Sequence, residues 1–247
     1  MLSKSQISFI KSLHLKKFRK EHKLFIVEGI KSVNEFIHSE YLVVELFCTE
    51  NAMPNLVNLS RTIKINSIST IELQKISTLS TAQNVLALVQ LPEDKDIETL
   101  QFSDTFTLAL DGIQDPGNLG TIIRSADWFG IRQILCSEDC VDAYNPKVVQ
   151  ATMGSLSRIK IHSGNPPLIL KKRNVPVFGA MLNGAPITET NFGNQGIIVL
   201  GNEGNGISQA VLEEIDHKVT IPALGQAESL NVAVSASIFC YEIKRNT

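Results

Sequence analysis

The chain has 247 residues, 43% of them apolar, and a net charge of −2, the balance of an ordinary globular protein long enough for two domains. No apolar run approaches the ~20 residues of a membrane span, and the N-terminus MLSKSQISFIKSLHLKKFRK carries charges where a signal peptide needs its apolar segment. The four cysteines and five histidines show no CxxC, HExxH or zinc-finger spacing, so the expectation is a cytoplasmic protein with no metal, no disulfide and no membrane partner.

Charge is unevenly spread. Residues 1–40 hold eight basic and four acidic side chains, a local +4, while residues 92–104 hold one and five, a local −4. The first reads as a face that meets a polyanion and the second as a solvated linker.

In chain order, Ser5–His22 places Ile7, Ile10, Leu13 and Leu15 among lysines at helical spacing, which predicts one amphipathic helix with a basic side. Its cluster Lys16-Lys17-Phe18-Arg19-Lys20 is either a phosphate-neutralising surface or a plain solvated helix face. Strands are expected at Leu24–Val27, Leu42–Cys48, Thr62–Ile65 and Asn84–Gln90, with helices at Ile30–His38, Pro54–Leu59 and Ile71–Ile76. This alternation predicts a small α/β domain over residues 1–91 that carries recognition rather than chemistry. Leu91-Pro92 and the acidic run mark a linker, residues 92–104.

A second α/β domain, residues 105–247, opens with strand Thr107–Leu110, loop Asp111–Gly120 and helix Thr121–Phe129 closed by Gly130. Strands Gln133–Cys136, Arg158–Ile161, Val177–Met181, Ile197–Leu200 and Lys218–Ile221 follow, interleaved with helices Pro146–Met153, Pro167–Arg173 and Gln209–Ile215. Ser229 is read as opening the last helix.

Ligands of an open parallel sheet bind beyond the carboxyl ends of its strands, and three polar loops qualify there. DGIQDPGNLGTIIR offers tight turns and Arg124, whose planar fork suits a phosphate unless Asp127 or Asp115 claims it. GNEGNGIS sets Glu203 among glycines, as a site carboxylate or a solvated turn residue. PALGQAESLN brings Ser229 and Asn231 to a helix start, where they either cap it or face a ligand. The second loop lacks the third glycine of a dinucleotide fingerprint, with Gln209 in its place, and no GK[ST] phosphate loop occurs. Dehydrogenase and nucleotide-hydrolase readings weaken accordingly.

Together, LDGIQDPGNLGTIIRSADWFG, IIVLGNEGNGIS and IPALGQAESLNVAVSASIFCYE resemble the three motifs, in order, of the SpoU (TrmH-type) RNA ribose methyltransferase family of the SPOUT superfamily. The stretch KSLHLKKFRKEHKLFIVEGIKSV is similar to the ribosomal-protein-like substrate-binding domain of ribosomal-RNA members. The resemblance implies a parallel-sheet α/β domain with a deep trefoil knot, a homodimer, and S-adenosylmethionine-dependent methylation of a ribose 2′-hydroxyl in structured RNA. Ribosomal RNA of the large subunit is favoured over transfer RNA, and an idle RNA-binding assembly factor is the reading from another class. The motifs place Asn118, Arg124, Glu203, Ser229 and Asn231 at the catalytic site and Ala180, Met181, Gly201, Ile221 and Leu230 at the cofactor, leaving Lys16, Lys17, Arg19 and Lys20 for RNA. Departures are Ala223, Ser235, Ser237 and Trp128, and none removes a catalytic group.

Overall fold

The computed structural model describes residues 1–93 and 100–245. The core of the expected acidic linker, 94–99, lies outside the described residues. Two compact units emerge, one of Met1–Glu93 with Asp142–Ser157 and one of Asp94–Val141 with Arg158–Thr247. The stretch 142–157, read from sequence as part of the second domain, thus belongs structurally to the first unit.

The first unit is a four-stranded mixed sheet with helices. Strands β1 (Leu24–Glu28), β2 (Val43–Cys48), β3 (Lys64–Ser67) and β4 (Val85–Gln90) stand in the order β1-β4-β2-β3, antiparallel except for β2 beside β3. Helices α3 (Ile30–Ile37) and α4 (Thr70–Ile76) follow strands as expected, the latter started by a reciprocal Ser69–Glu72 capping box. The segment Pro54–Leu59, expected as a helix, shortens to a 3₁₀ turn at Met53–Asn55.

The predicted single helix Ser5–His22 is two, α1 (Lys4–Ser12) and α2 (Lys16–His22). Arg19 explains the break and corrects its own assignment to the RNA surface. Its guanidinium is only 2% exposed and donates to the Leu13 and His14 carbonyls, 2.8 Å each, satisfying backbone acceptors beyond α1. The same group pairs with Asp142 at 2.6 Å. Glu28, also buried, ends β1 by accepting from the Ser77 and Thr78 hydroxyls and from the Thr78 N–H at 2.8 Å. Helix α6 (Pro146–Ala151), capped by Asn145, packs on β1.

The second unit is a six-stranded parallel sheet. Its strands are β5 (Phe106–Asp111), β6 (Gln133–Ser137), β7 (Lys160–Gly164), β8 (Val177–Pro186), β9 (Gly196–Gly201) and β10 (His217–Thr220), in the order β10-β8-β9-β5-β6-β7. Every residue of central β5 is buried, as a strand covered on both faces requires. Helices α7 (Pro166–Lys171) and α8 (Gln209–Leu212) cover the sheet side of the core that includes Leu170 and Val211.

Two helix starts differ from expectation. Helix α5 spans Pro116–Trp128, five residues earlier than read, because Asp115 caps it through the Asn118 N–H at 2.8 Å and Pro116 occupies its first turn. Gly117 and Gly120, which suggested a loop, lie inside the helix. Helix α9 spans Val232–Arg245 and its cap is Asn231, whose Oδ1 accepts from the Ala233 N–H at 2.9 Å. Ser229 therefore stays in the loop.

Two outcomes follow for the first unit. Removing Asp142 leaves the buried Arg19 charge unpaired, so Asp142→Asn is expected to lower unfolding stability by about 3 kcal/mol in urea titrations, with Arg19→Met/Asp142→Leu recovering most of the loss. Burial holds the His14 imidazole below its ordinary 6.5, against the raising pull of Glu28, and its Nε2 has no hydrogen-bond partner among the described residues. A base held neutral in the fold costs nothing above its unfolded value and destabilises as pH falls from there through the lower folded value. Melting temperature should therefore drop less below pH 6.5 in His14→Gln than in the wild type.

Candidate active site

The carboxyl ends of β5, β9 and β10 deliver the three polar loops, and their side chains meet at one amide. Asn118, in the first turn of α5, donates from Nδ2 to Glu203 Oε1 at 2.8 Å and accepts at Oδ1 from Asn231 Nδ2 at 2.9 Å. A carboxylate only accepts, so the amide orientation is dictated by Glu203. Asn231 spends its own oxygen on the start of α9. One side chain from each loop thus joins a chain of hydrogen bonds that closes only when all three loops are in place.

The Glu203 loop is locked from beneath by Asn202, a residue the sequence reading passed over. Its backbone bridges Gly206 in both directions at 2.9 Å, and its Oδ1 accepts from the Gly204 and Asn205 N–H groups at 2.9 and 3.0 Å. Its Nδ2 donates to the Gly112 carbonyl at 2.7 Å, tying the second loop to the first. Gly201 permits this crossing, since a Cβ there would lie 2.3 Å from the Gly206 carbonyl carbon. The buried Asp111 carboxylate accepts the Ser208 N–H at 2.6 Å, while Ser137 Oγ accepts the Gly112 N–H at 2.8 Å. The Cys140 thiol also belongs to this support, contacting Leu110 O and Ile113 N–H at 3.3 Å. A hydrogen bond with Cys136 leads the forces that draw the Cys140 thiol pKa down to about 7 against desolvation.

Arg124 lies two turns into α5 and is exposed. The carboxylates that competed for it in the sequence are occupied: Asp127 by Arg158 at 2.8 Å and Asp115 by the α5 cap. Its charge therefore faces solvent on the helix that also carries Asn118. Ser229 is exposed in the third loop, outside the Asn118 network.

Of the residues expected at a cofactor, Ala180 and Met181 lie in a break of the sheet and Ile221 directly follows β10. The β8–β10 register jumps between Lys218, opposite Gly179, and Val219, opposite Ala185, so Ala180–Gly184 arches out of the ladder. Ala180, Met181, Gly201 and Ile221 are half-buried and Leu230 is exposed. Leu182, Leu224 and Leu230 add exposed apolar surface. Arched backbone with apolar side chains suits a ligand with polar edges and a flat apolar body, so these residues fit such a cofactor. A cavity of about 580 Å³ lined by Thr190, Phe192, Asn194 and Glu242 contains none of them. Among the described residues no group of three or more His, Cys, Asp or Glu side chains is placed to hold a metal ion.

A parallel sheet with its polar groups gathered past the strand ends, in one chain with a mixed-sheet unit, defines a two-unit α/β protein with a candidate ligand site at the strand ends. The SpoU rRNA Methylase family model matches residues 105–241, and that of the MRM3-like substrate binding domain matches residues 4–87. The chain belongs to the SpoU rRNA Methylase family. It is 35% identical over 239 residues to the 23S rRNA (guanosine(2553)-2′-O)-methyltransferase RlmP of Bacillus subtilis (strain 168), covering 95% of this chain and 94% of that protein. A TrmH-family protein from Porphyromonas gingivalis superposes with a TM-score of 0.91 at 38% identity over 100% of both chains. The AdoMet-bound rRNA methyltransferase from Sinorhizobium meliloti superposes with a TM-score of 0.88 at 26% identity, covering 100% of this chain and 97% of that one.

The amide bridge has a direct test. Asn118→Asp is nearly isosteric but sets a second carboxylate against Glu203, so methyl transfer should fall by about 10²-fold and further than in Asn118→Ala. Single-turnover rates, with melting curves as a control for folding, distinguish the two; an Asp variant as active as wild type would remove Asn118 from the centre of the site.

Proposed function

We propose that this protein methylates a ribose 2′-hydroxyl of large-subunit ribosomal RNA with S-adenosylmethionine as methyl donor. The observation that carries this reading is the joining of the three loops through Asn118, Glu203 and Asn231, with Arg124 exposed on the same helix as Asn118. Family membership and full-length similarity to a 23S rRNA 2′-O-methyltransferase support it.

A ribose hydroxyl is a poor nucleophile until its proton is lost or its oxyanion is stabilised. When bound, S-adenosylmethionine supplies an electrophilic methyl group, and Ala180, Met181, Gly201, Ile221 and Leu230 would hold it. Arg124 grips the neighbouring phosphate and stabilises the developing alkoxide, while staying protonated itself; the phosphate or a water takes the proton. Asn118, Glu203 and Asn231 keep the loops in register with that oxygen, and Ser229, exposed at the lip of the third loop, is free to bond RNA or cofactor. The chemistry depends on in-line placement, which explains why so many hydrogen bonds serve loop position rather than proton transfer.

Lys16, Lys17 and Lys20, all exposed on α2, supply the phosphate contacts of the recognition unit. The active form in this reading is a cytoplasmic homodimer. Trp128, 84% exposed on α5, and Val234 and Tyr241 on the adjoining α9 give the second copy an apolar face. The chain after edge strand β10 returns to pack α9 on α5 and β9, a course that suits the family's trefoil knot.

Arg124→Ala should keep S-adenosylmethionine binding in calorimetry yet lose about 10³-fold in labelled methyl transfer to 23S rRNA. Retained transfer would overturn the assignment of Arg124. Mapping ribose methylations in RNA from cells lacking the gene identifies the nucleotide.

A further inference from the structure

The recognition unit carries a feature that phosphate binding does not use. On α2, the Phe18 and His22 rings lie nearly parallel, 10° apart with centroids at 6.3 Å. Phe9 supports His22 edge-on at 5.0 Å. His22 is exposed and Phe18 half-buried, so the pair sits at the surface and not in the core. Lys17 places its ammonium 5.7 Å from the Phe18 ring centroid. Because Arg19 turns inward to Asp142, the lysines supply the positive charge on the outside of this helix.

From this geometry we infer that Phe18 and His22 form a stacking platform for an unpaired RNA base whose flanking phosphates are held by Lys16, Lys17 and Lys20. The inference rests on the reading of α2 as an RNA surface and adds the form of RNA that it selects. A paired base hides its faces inside the helix, whereas an unstacked base offers a π face that any aromatic ring accepts. The Lys17 ammonium already occupies the electron-rich face of Phe18. A phosphate beside the incoming base draws that ammonium aside and opens the ring, so charge and stacking act together. An acidic peptide would satisfy the lysines but gain nothing from a parallel ring face.

The test uses the full-length protein with a labelled mixed-sequence RNA of about 12 nucleotides, single-stranded or annealed to its complement. Binding is followed by fluorescence anisotropy over a range of salt concentrations. Phe18→Leu keeps the apolar packing and removes the π face; His22→Leu does the same at an exposed position where folding is not at stake. Each should weaken single-strand binding by about tenfold while leaving duplex binding and the salt slope unchanged. Phe18→Trp should retain wild-type affinity. Unchanged single-strand affinity in both leucine variants, equal losses on strand and duplex, or equally effective competition by polyglutamate would overturn the platform. The underlying reading fails separately: replacing Lys16, Lys17 and Lys20 by Gln should flatten the salt slope, and an unaltered slope would move the RNA surface off α2.

Discussion

The three polar loops of the second unit are joined through the Asn118 side chain. An amide can donate at one end and accept at the other, and here each end is taken by a different loop, Glu203 from the second and Asn231 from the third. Asp would repel Glu203 and Ala would offer neither bond. The chain of bonds continues into the backbone at both extremes, through the Asn231 cap on α9 and the Asn202 tie to Gly112. A site assembled from three distant segments is thereby made to close as one object, the preorganisation that in-line transfer to a weak nucleophile demands.

Distribution of charge separates arginines committed to carboxylates from one exposed to solvent. Arg19, Arg158 and Arg173 are each committed to carboxylates, at 2.6, 2.8 and 2.7 Å. Arg19 is the extreme case, buried and bonded to two carbonyls, where its charge orders the turn between α1 and α2. Arg124 is left exposed because Asp115 and Asp127, its near neighbours in sequence, have other work. An exposed guanidinium keeps its capacity for phosphate or a developing oxyanion.

The two units differ in construction. A mixed four-stranded sheet with short helices gives the first unit surface area and basic side chains. The parallel sheet of the second aligns strand ends on one edge, so loops and helix starts converge there without further design. Its register jump at Gly179/Ala185 frees an arch of backbone at that edge, which a continuous ladder would have consumed.

Alternation of apolar runs with helical spacing made the two α/β units legible in the sequence, and the three polar loops past the strand ends singled out Arg124, Glu203, Ser229 and Asn231, while Asn118 entered through the family resemblance. Helix starts were less legible. Gly117 and Gly120 mask the first turn of α5, because glycine signals a loop locally while the Asp115 cap and close packing of buried Gly120 sustain a helix. Ser229 resembled a cap, yet only the fold shows that Asn231 takes that role. A basic pentad likewise cannot announce which member turns inward: Arg19 is consumed by Asp142, 123 residues away. Sequence by itself determined the elements and the chemical types at the site, since periodicity and residue chemistry are local properties. Tertiary structure alone decided the partners, the amide bridge at Asn118, the burial of Arg19 and the grouping of 142–157 with the first unit, because hydrogen bonding and desolvation depend on neighbours that the chain brings together only when folded.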